Sequence, residues 1–240
     1  MKTTEVDVVA FGAHPDDAEI GCGGTLIKFA DAGRKIVIVD LVRGELGTRG
    51  SVETRAQEAE ASSRIIGLHG RENLGLPDGH ISSSPEAKRK VVESIRRWQP
   101  KAIFVPYWDD RHPDHANASH LVYEASFLSG LMRYDTGQES HRPDKVFYYM
   151  GWYEFTPSFV VDITDQAERK LEAIYAFRTQ FDPNADRGPQ TRLTSPTTDW
   201  LIRSRMAHFG SLIRSKYGEG FLIRGRLEVD DPLELTFSSF

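Results

Sequence analysis

The chain has 240 residues, enough to bury a full core without disulfides or a structural metal, and its 27% charged and 39% hydrophobic residues are ordinary for a globular domain. A formal net charge of −5 runs against a nucleic-acid partner, which would call for a basic excess. The single cysteine, Cys22, excludes a disulfide framework or cysteine-rich zinc module, and no apolar run is long enough to span a bilayer, so no membrane partner is expected and the default reading is cytoplasmic.

The first apolar run, VDVVAFGA (6–13), is β-branched and nearly continuous, as strands covered on both faces of a parallel sheet are. It empties into HPDDAEIG, which places His14, Asp16 and Asp17 at the entry to a helix expected over 18–32 and stopped by Gly33. One aspartate there would read as a helix cap favoured by the dipole; two acids and a histidine behind a buried strand ask for more. RKIVIVDLV (34–42) is the next strand. The loop RGELGTRGSV follows, in which Arg43 and Arg49 read equally as solvated charge or as help for an anionic ligand. A helix over 52–67 carries Ala56, Ala59, Ser63 and Ile66 on one stripe and ends at Gly67. SPEAKRKVVESIRRWQP forms another, with Ser84 as cap and Pro85 at its first position.

KAIFVPY (101–107) then empties into DRHPDHAN, with His112, Asp114 and His115 around Pro113. KVFYYMGW (145–152) and FVVDIT (159–164) read as further strands. Two helical patterns (165–181 and 198–216) flank a loop at 182–198 too long to be a mere connection. No repeat or linker is visible, so residues 1–240 are expected to form one domain. The alternation predicts an α/β fold, single-domain and Rossmann-like, with a mostly parallel sheet flanked by helices and its site at the carboxyl ends of the strands. Both His/Asp clusters fall at such ends.

Two imidazoles and a carboxylate with a fourth position open form a catalytic zinc arrangement, whereas calcium and magnesium want mostly oxygen ligands. Iron(II) uses the same donors and stays open. The surplus acids and third histidine then suit a general base and an oxyanion donor. A dinucleotide site is disfavoured, because the first strand ends in GAHPDD rather than G-x-G-x-x-G. A non-catalytic metal or sugar binder is the alternative of a different class, and it would need neither the surplus acids nor the third histidine.

AHPDDAEIGCGGTL together with YWDDRHPDHANA resembles the LmbE-like, or PIG-L type, zinc-dependent N-deacetylase family. The likeness extends over ETRAQEAEASSRIIGL, NLGLPDG (73–79) and TQF (179–181), and within the family it leans toward the bacillithiol-pathway branch. The resemblance implies that His14, Asp17 and His115 bind zinc, and that Asp16 is the general base. A protonated His112 would stabilise the oxyanion, with Asp114 holding its ring and its charge. It further implies that Arg55 and Arg111 contact a small anionic amino-sugar substrate, N-acetylglucosaminyl L-malate or another small N-acylated amine, in a homo-hexamer.

Overall fold

The computed structural model describes residues 4–185 and 187–237. In chain order the elements are β1 (Val8–Gly12), α1 (Asp17–Asp31), β2 (Ile36–Val42), α2 (Val52–Ile66), β3 (Gly70–Leu76), α3 (Pro85–Trp98) and β4 (Ala102–Pro106). They continue with α4 (Pro113–Ser129), β5 (Lys145–Tyr149), β6 (Phe159–Asp162), α5 (Ala167–Tyr175), α6 (Arg178–Phe181), α7 (Thr197–Leu212) and β7 (Gly218–Leu222). The seven strands form one sheet in the order β3-β2-β1-β4-β5-β7-β6. The first five are parallel neighbours, and β7 runs antiparallel to both β5 and β6. This is the Rossmann-like α/β architecture the sequence predicts.

Alternation along β1 sorts the core. Val9 and Phe11 join Val37 and Val39 of β2 against Val91, Val92 and Ile95 of α3 and Leu121 and Val122 of α4. Val8 and Ala10 face the other way, onto Cys22, Leu26 and Ile27 of α1. A third cluster joins Ala59 of α2, Leu171 and Ile174 of α5, Phe177, Phe181 of α6, and Met206 of α7, with Ile20 of α1 and Val161 of β6 packed against it. Gly67 closes α2 at φ 85°, a left-handed cap that only glycine adopts without strain.

The structure departs from the sequence expectations at four elements. β3 was not anticipated: GRENLGL lacks apolar alternation because it is the half-exposed edge of the sheet. Nor was β7, a five-residue strand carrying Gly218 and Gly220. α4 follows the second cluster directly, capped by His112 with Pro113 at its first position, and it is apolar on more than one face. The helix expected over 165–181 breaks at Phe177, where the backbone leaves the helical region (ψ 64°). β7 has a polar anchor: Glu219 accepts the N–H groups of Gly24 and Thr25 in α1 and pairs with the buried Lys170 at 2.6 Å. No helix among the described residues is long and apolar enough to cross a membrane.

Candidate active site

β1 and β4 are adjacent, and the sheet order reverses between them, so a crevice opens outside their carboxyl ends. His14, Asp16 and Asp17 leave β1 and His112, Asp114 and His115 leave β4; they converge there, and all but Asp114 line a cavity of about 440 Å³. That size suits a small ligand. Its walls include Leu46, Thr48, Arg55 and Asp78 on one side and Arg111, Trp152, Leu201 and Arg205 on the other.

Asp17 is the centre of the cluster. Its Oδ2 accepts the His14 N–H at 2.8 Å and lies 3.4 Å from His14 Nδ1, while its Oδ1 lies 3.2 Å from His115 Nε2. Each ring is backed on its far side by a carboxylate: Asp78 at 3.2 Å from His14 Nε2, and Asp110 at 3.2 Å from His115 Nδ1. A carboxylate behind the outer nitrogen fixes the tautomer and aims the inner lone pair, as at metal sites. Burial works against a charge on either ring, yet the surrounding carboxylates hold His14 well above its usual pKa and raise His115 to about 9. A cation is therefore favoured at this point, and a divalent metal would displace those protons.

Ligand atoms of His14, Asp17 and His115 all lie within 4.8 Å of one another, and so do those of His14, His112 and Asp114. The first set is the better fit for a metal. In the second, His112 Nδ1 already accepts the Asp114 N–H at 3.2 Å. Both Asp114 oxygens are also taken, accepting the N–H groups of Gly79 and Ile81 at 2.8 and 3.2 Å.

These bonds correct two expectations. Asp114 does not hold the His112 ring through its carboxylate; it fixes the 79–81 turn and lies 3.5 Å from His14 Nε2. Nor is His112 set up to be protonated. Burial and the neighbouring His115 and His14 lower its pKa, and Nδ1 as an acceptor leaves Nε2 carrying the proton of a neutral ring. A neutral Nε2–H is still a donor.

Asp16 is not a helix cap: its side chain makes no capping bond, and its backbone sits at φ 123°, a conformation that non-glycine residues hold only when their surroundings impose it. Arg55 Nη2 donates to the Pro15 carbonyl at 2.7 Å and lies 3.3 Å from Asp16 Oδ2. Burial pushes Asp16 up to about 7 despite that arginine, into the range useful to a general base. Asp16 Oδ1 has no hydrogen-bond partner among the described residues. Arg55, expected to touch substrate, is buried at 5% exposure and engaged with Pro15 and Asp16; it reaches the cavity only as part of the wall. Arg111 sits at the rim with its guanidinium 3.9 Å from the centre of the Trp152 ring.

Of the loop arginines, Arg49 is buried and donates to the carbonyls of Thr179, Asp182 and Gly188, clasping the 43–51 loop to those residues. Arg43 lines a separate groove beside Arg71 and Asn73. The sequence reading missed Asp78 and Asp110. Asp78 stands in LPDG and Asp110 in WDDRHPDH, and only their convergence behind the two rings singles them out from other loop acids.

The sequence profile of the family described as PIG-L: GlcNAc-PI de-N-acetylase matches residues 9–126, which include both clusters. The chain is 29% identical over 228 residues to the diacetylchitobiose deacetylase of Thermococcus kodakarensis, covering 89% of this chain and 81% of that one. It is 25% identical over 200 residues to a probable N-acetyl-alpha-D-glucosaminyl L-malate deacetylase of Bacillus anthracis, covering 75% and 84%. Its fold superposes on that of a conserved protein of Thermus thermophilus with a TM-score of 0.86 at 35% identity, over 94% of this chain and 98% of the other.

Proposed function

The chain belongs to the PIG-L de-N-acetylase family, and from that premise and the site geometry we propose that it is a metal-dependent hydrolase removing the N-acetyl group from a glucosaminyl substrate. The observation that carries the proposal is the convergence, in one cavity, of the His14–Asp17–His115 set with an Asp16 and a His112 that the set does not use. A passive metal or sugar binder would have no need of those two.

In this reading His14, Asp17 and His115 hold the cation, zinc being the metal we favour for two imidazoles and a carboxylate. Bound there, it supplies Lewis acidity toward the acetyl carbonyl and lowers the pKa of water. Asp16 Oδ1 takes the proton of the attacking water, while Arg55 fixes Oδ2 and keeps the carboxylate turned to its task. His112 Nε2–H donates to the carbonyl oxygen as charge develops on it. The amine leaves with the proton that Asp16 received, giving acetate and the free amino sugar.

For the rest of the substrate we propose an anionic aglycone such as malate. Arg111 and Arg192 stack on the same Trp152 ring, at 3.9 and 4.8 Å, and neither guanidinium has a hydrogen bond or ion pair among the described residues. Two free arginine forks on one rim suit a carboxylate. A neutral disaccharide is the second reading, supported by the 29% identity to the diacetylchitobiose deacetylase. Rates of amine release from N-acetylglucosaminyl malate, diacetylchitobiose and N-acetylglucosamine, with zinc-loaded protein, separate them. Preference for the first supports the anionic aglycone, preference for the second replaces it, and release from none removes the deacetylase proposal. The cytoplasmic hexamer expected from the sequence belongs to the same proposal. Exposed Phe127, Leu131 and Met132 at the end of α4 offer an apolar face that assembly would cover, and the mass in solution tests it.

A further inference from the structure

Asp110 is used by neither the ligand set nor the proton transfers, yet its side chain is only 1% exposed and all its bonds run to the site. It lies in the loop between β4 and α4. Its Oδ1 accepts the backbone N–H of His112 at 2.8 Å and lies 3.2 Å from His115 Nδ1. Its Oδ2 accepts the backbone N–H of Trp152 at 2.6 Å. One carboxylate thus contacts the oxyanion donor's backbone, the ring of a metal-binding histidine, and the strand-end residue whose indole forms the pocket wall. The chain makes room for it: a Cβ on Gly151 would overlap Asp110 Oδ2 and lie 3.4 Å from His115 Nδ1.

We propose that Asp110 is the positioning residue of this site, setting the His115 tautomer for metal binding and locking His112 and Trp152 to the same point. The inference rests on the metal-site reading above. The physical reason is that a donor hydrogen bond from Nδ1 to a carboxylate leaves Nε2 as the lone pair facing Asp17 and makes that nitrogen more basic. Without the carboxylate the ring is free to rotate or to exchange tautomers, and the cation loses a pre-aimed ligand. Asp78 backs His14 in the same way, but it is bonded to Leu46 and Glu45 of a different loop and does not touch the His112 side of the site.

The test is zinc affinity rather than turnover, measured by competition with a chromogenic chelator on the full chain. Asp110→Asn keeps the shape and loses the charge; it is expected to bind zinc about 10- to 100-fold more weakly, the usual effect of removing such a partner. Gly151→Ala, which leaves the carboxylate in the sequence but pushes it off His115, is expected to weaken zinc in the same direction and serves if the first variant folds poorly. Thermal unfolding of the metal-free variants checks that each is folded. Wild-type affinity in a folded Asp110→Asn variant overturns the proposal and leaves the metal site standing. If the wild-type protein itself takes up no zinc, the metal-site reading falls, and this inference with it.

Discussion

Asp16→Asn separates base from ligand and tests the burial of the acid at once. Asparagine keeps the shape and tolerates the positive φ at this position, but it cannot take a proton at neutral pH. In metal-loaded protein the expected loss in kcat is about 100- to 10,000-fold, the usual worth of a general base, with metal content unchanged. In metal-free protein a second effect follows from burial, which raises the Asp16 pKa from 3.8 to about 7. An acid whose folded pKa is raised binds more protons folded than unfolded between those two values. Its contribution to stability is therefore intact at and below about pH 4, declines as pH rises toward 7, and stays reduced above. At about 1.4 kcal/mol per pKa unit the decline is on the order of 4 kcal/mol. Asparagine carries no such burden, so metal-free Asp16→Asn should melt above the wild type at pH 8, with the difference shrinking toward pH 5. Paired thermal melts across that range read the second effect, and acetate release with metal analysis reads the first. More than a tenth of wild-type turnover in a fully loaded variant would refute the base assignment. Loss of the metal would make Asp16 a ligand, and a pH-independent difference in melting would refute the argument from burial.

Asp17→Ala removes the carboxylate between the two rings and should abolish zinc uptake and turnover together, whereas chelator-treated wild type should regain activity on adding zinc. Metal at 100 times its dissociation constant should also stabilise the wild type by about 2.7 kcal/mol, seen as a rise in melting temperature that Asp17→Ala lacks. His112→Ala should retain zinc and lose about 100- to 1,000-fold in kcat, and normal turnover would remove His112 as the oxyanion donor. Arg111→Ala or Arg192→Ala should raise KM for the malate conjugate about 10-fold or more and leave that for N-acetylglucosamine alone; equal effects on both would count against an anion at Trp152. Lys170→Met leaves Glu219 buried without its cation and should cost about 3–5 kcal/mol, read by denaturant unfolding; a loss under 1 kcal/mol would show that the Gly24 and Thr25 N–H groups hold the carboxylate by themselves.

What the sequence determined by itself was what local chemistry dictates. The β-branched runs at 6–13, 34–42 and 101–107 can only be strands buried on both faces, and caps such as Ser84-Pro85 and Gly67 end helices wherever they fold. Each of two such strands running straight into histidine and aspartate was enough to point to a metal and to water chemistry. Where burial comes from partners far along the chain, local pattern was silent. β3 and β7 are strands because β2 and β5 offer them edges, and α4 buries only the side that α3 and β4 cover, leaving Tyr123 and Phe127 exposed on the other. The roles of single polar groups were decided in the same way. Nothing in HPDH tells that Asp114 turns to the amides of Gly79 and Ile81, or that burial beside His115 and His14 lowers the pKa of His112. Nothing in ETRA tells that Arg55 is buried against Asp16, and no spacing links Asp78 to His14, or Asp110 to Trp152. A carboxylate's partner is fixed by which donors the fold brings within about 3 Å, and only tertiary packing sets that distance.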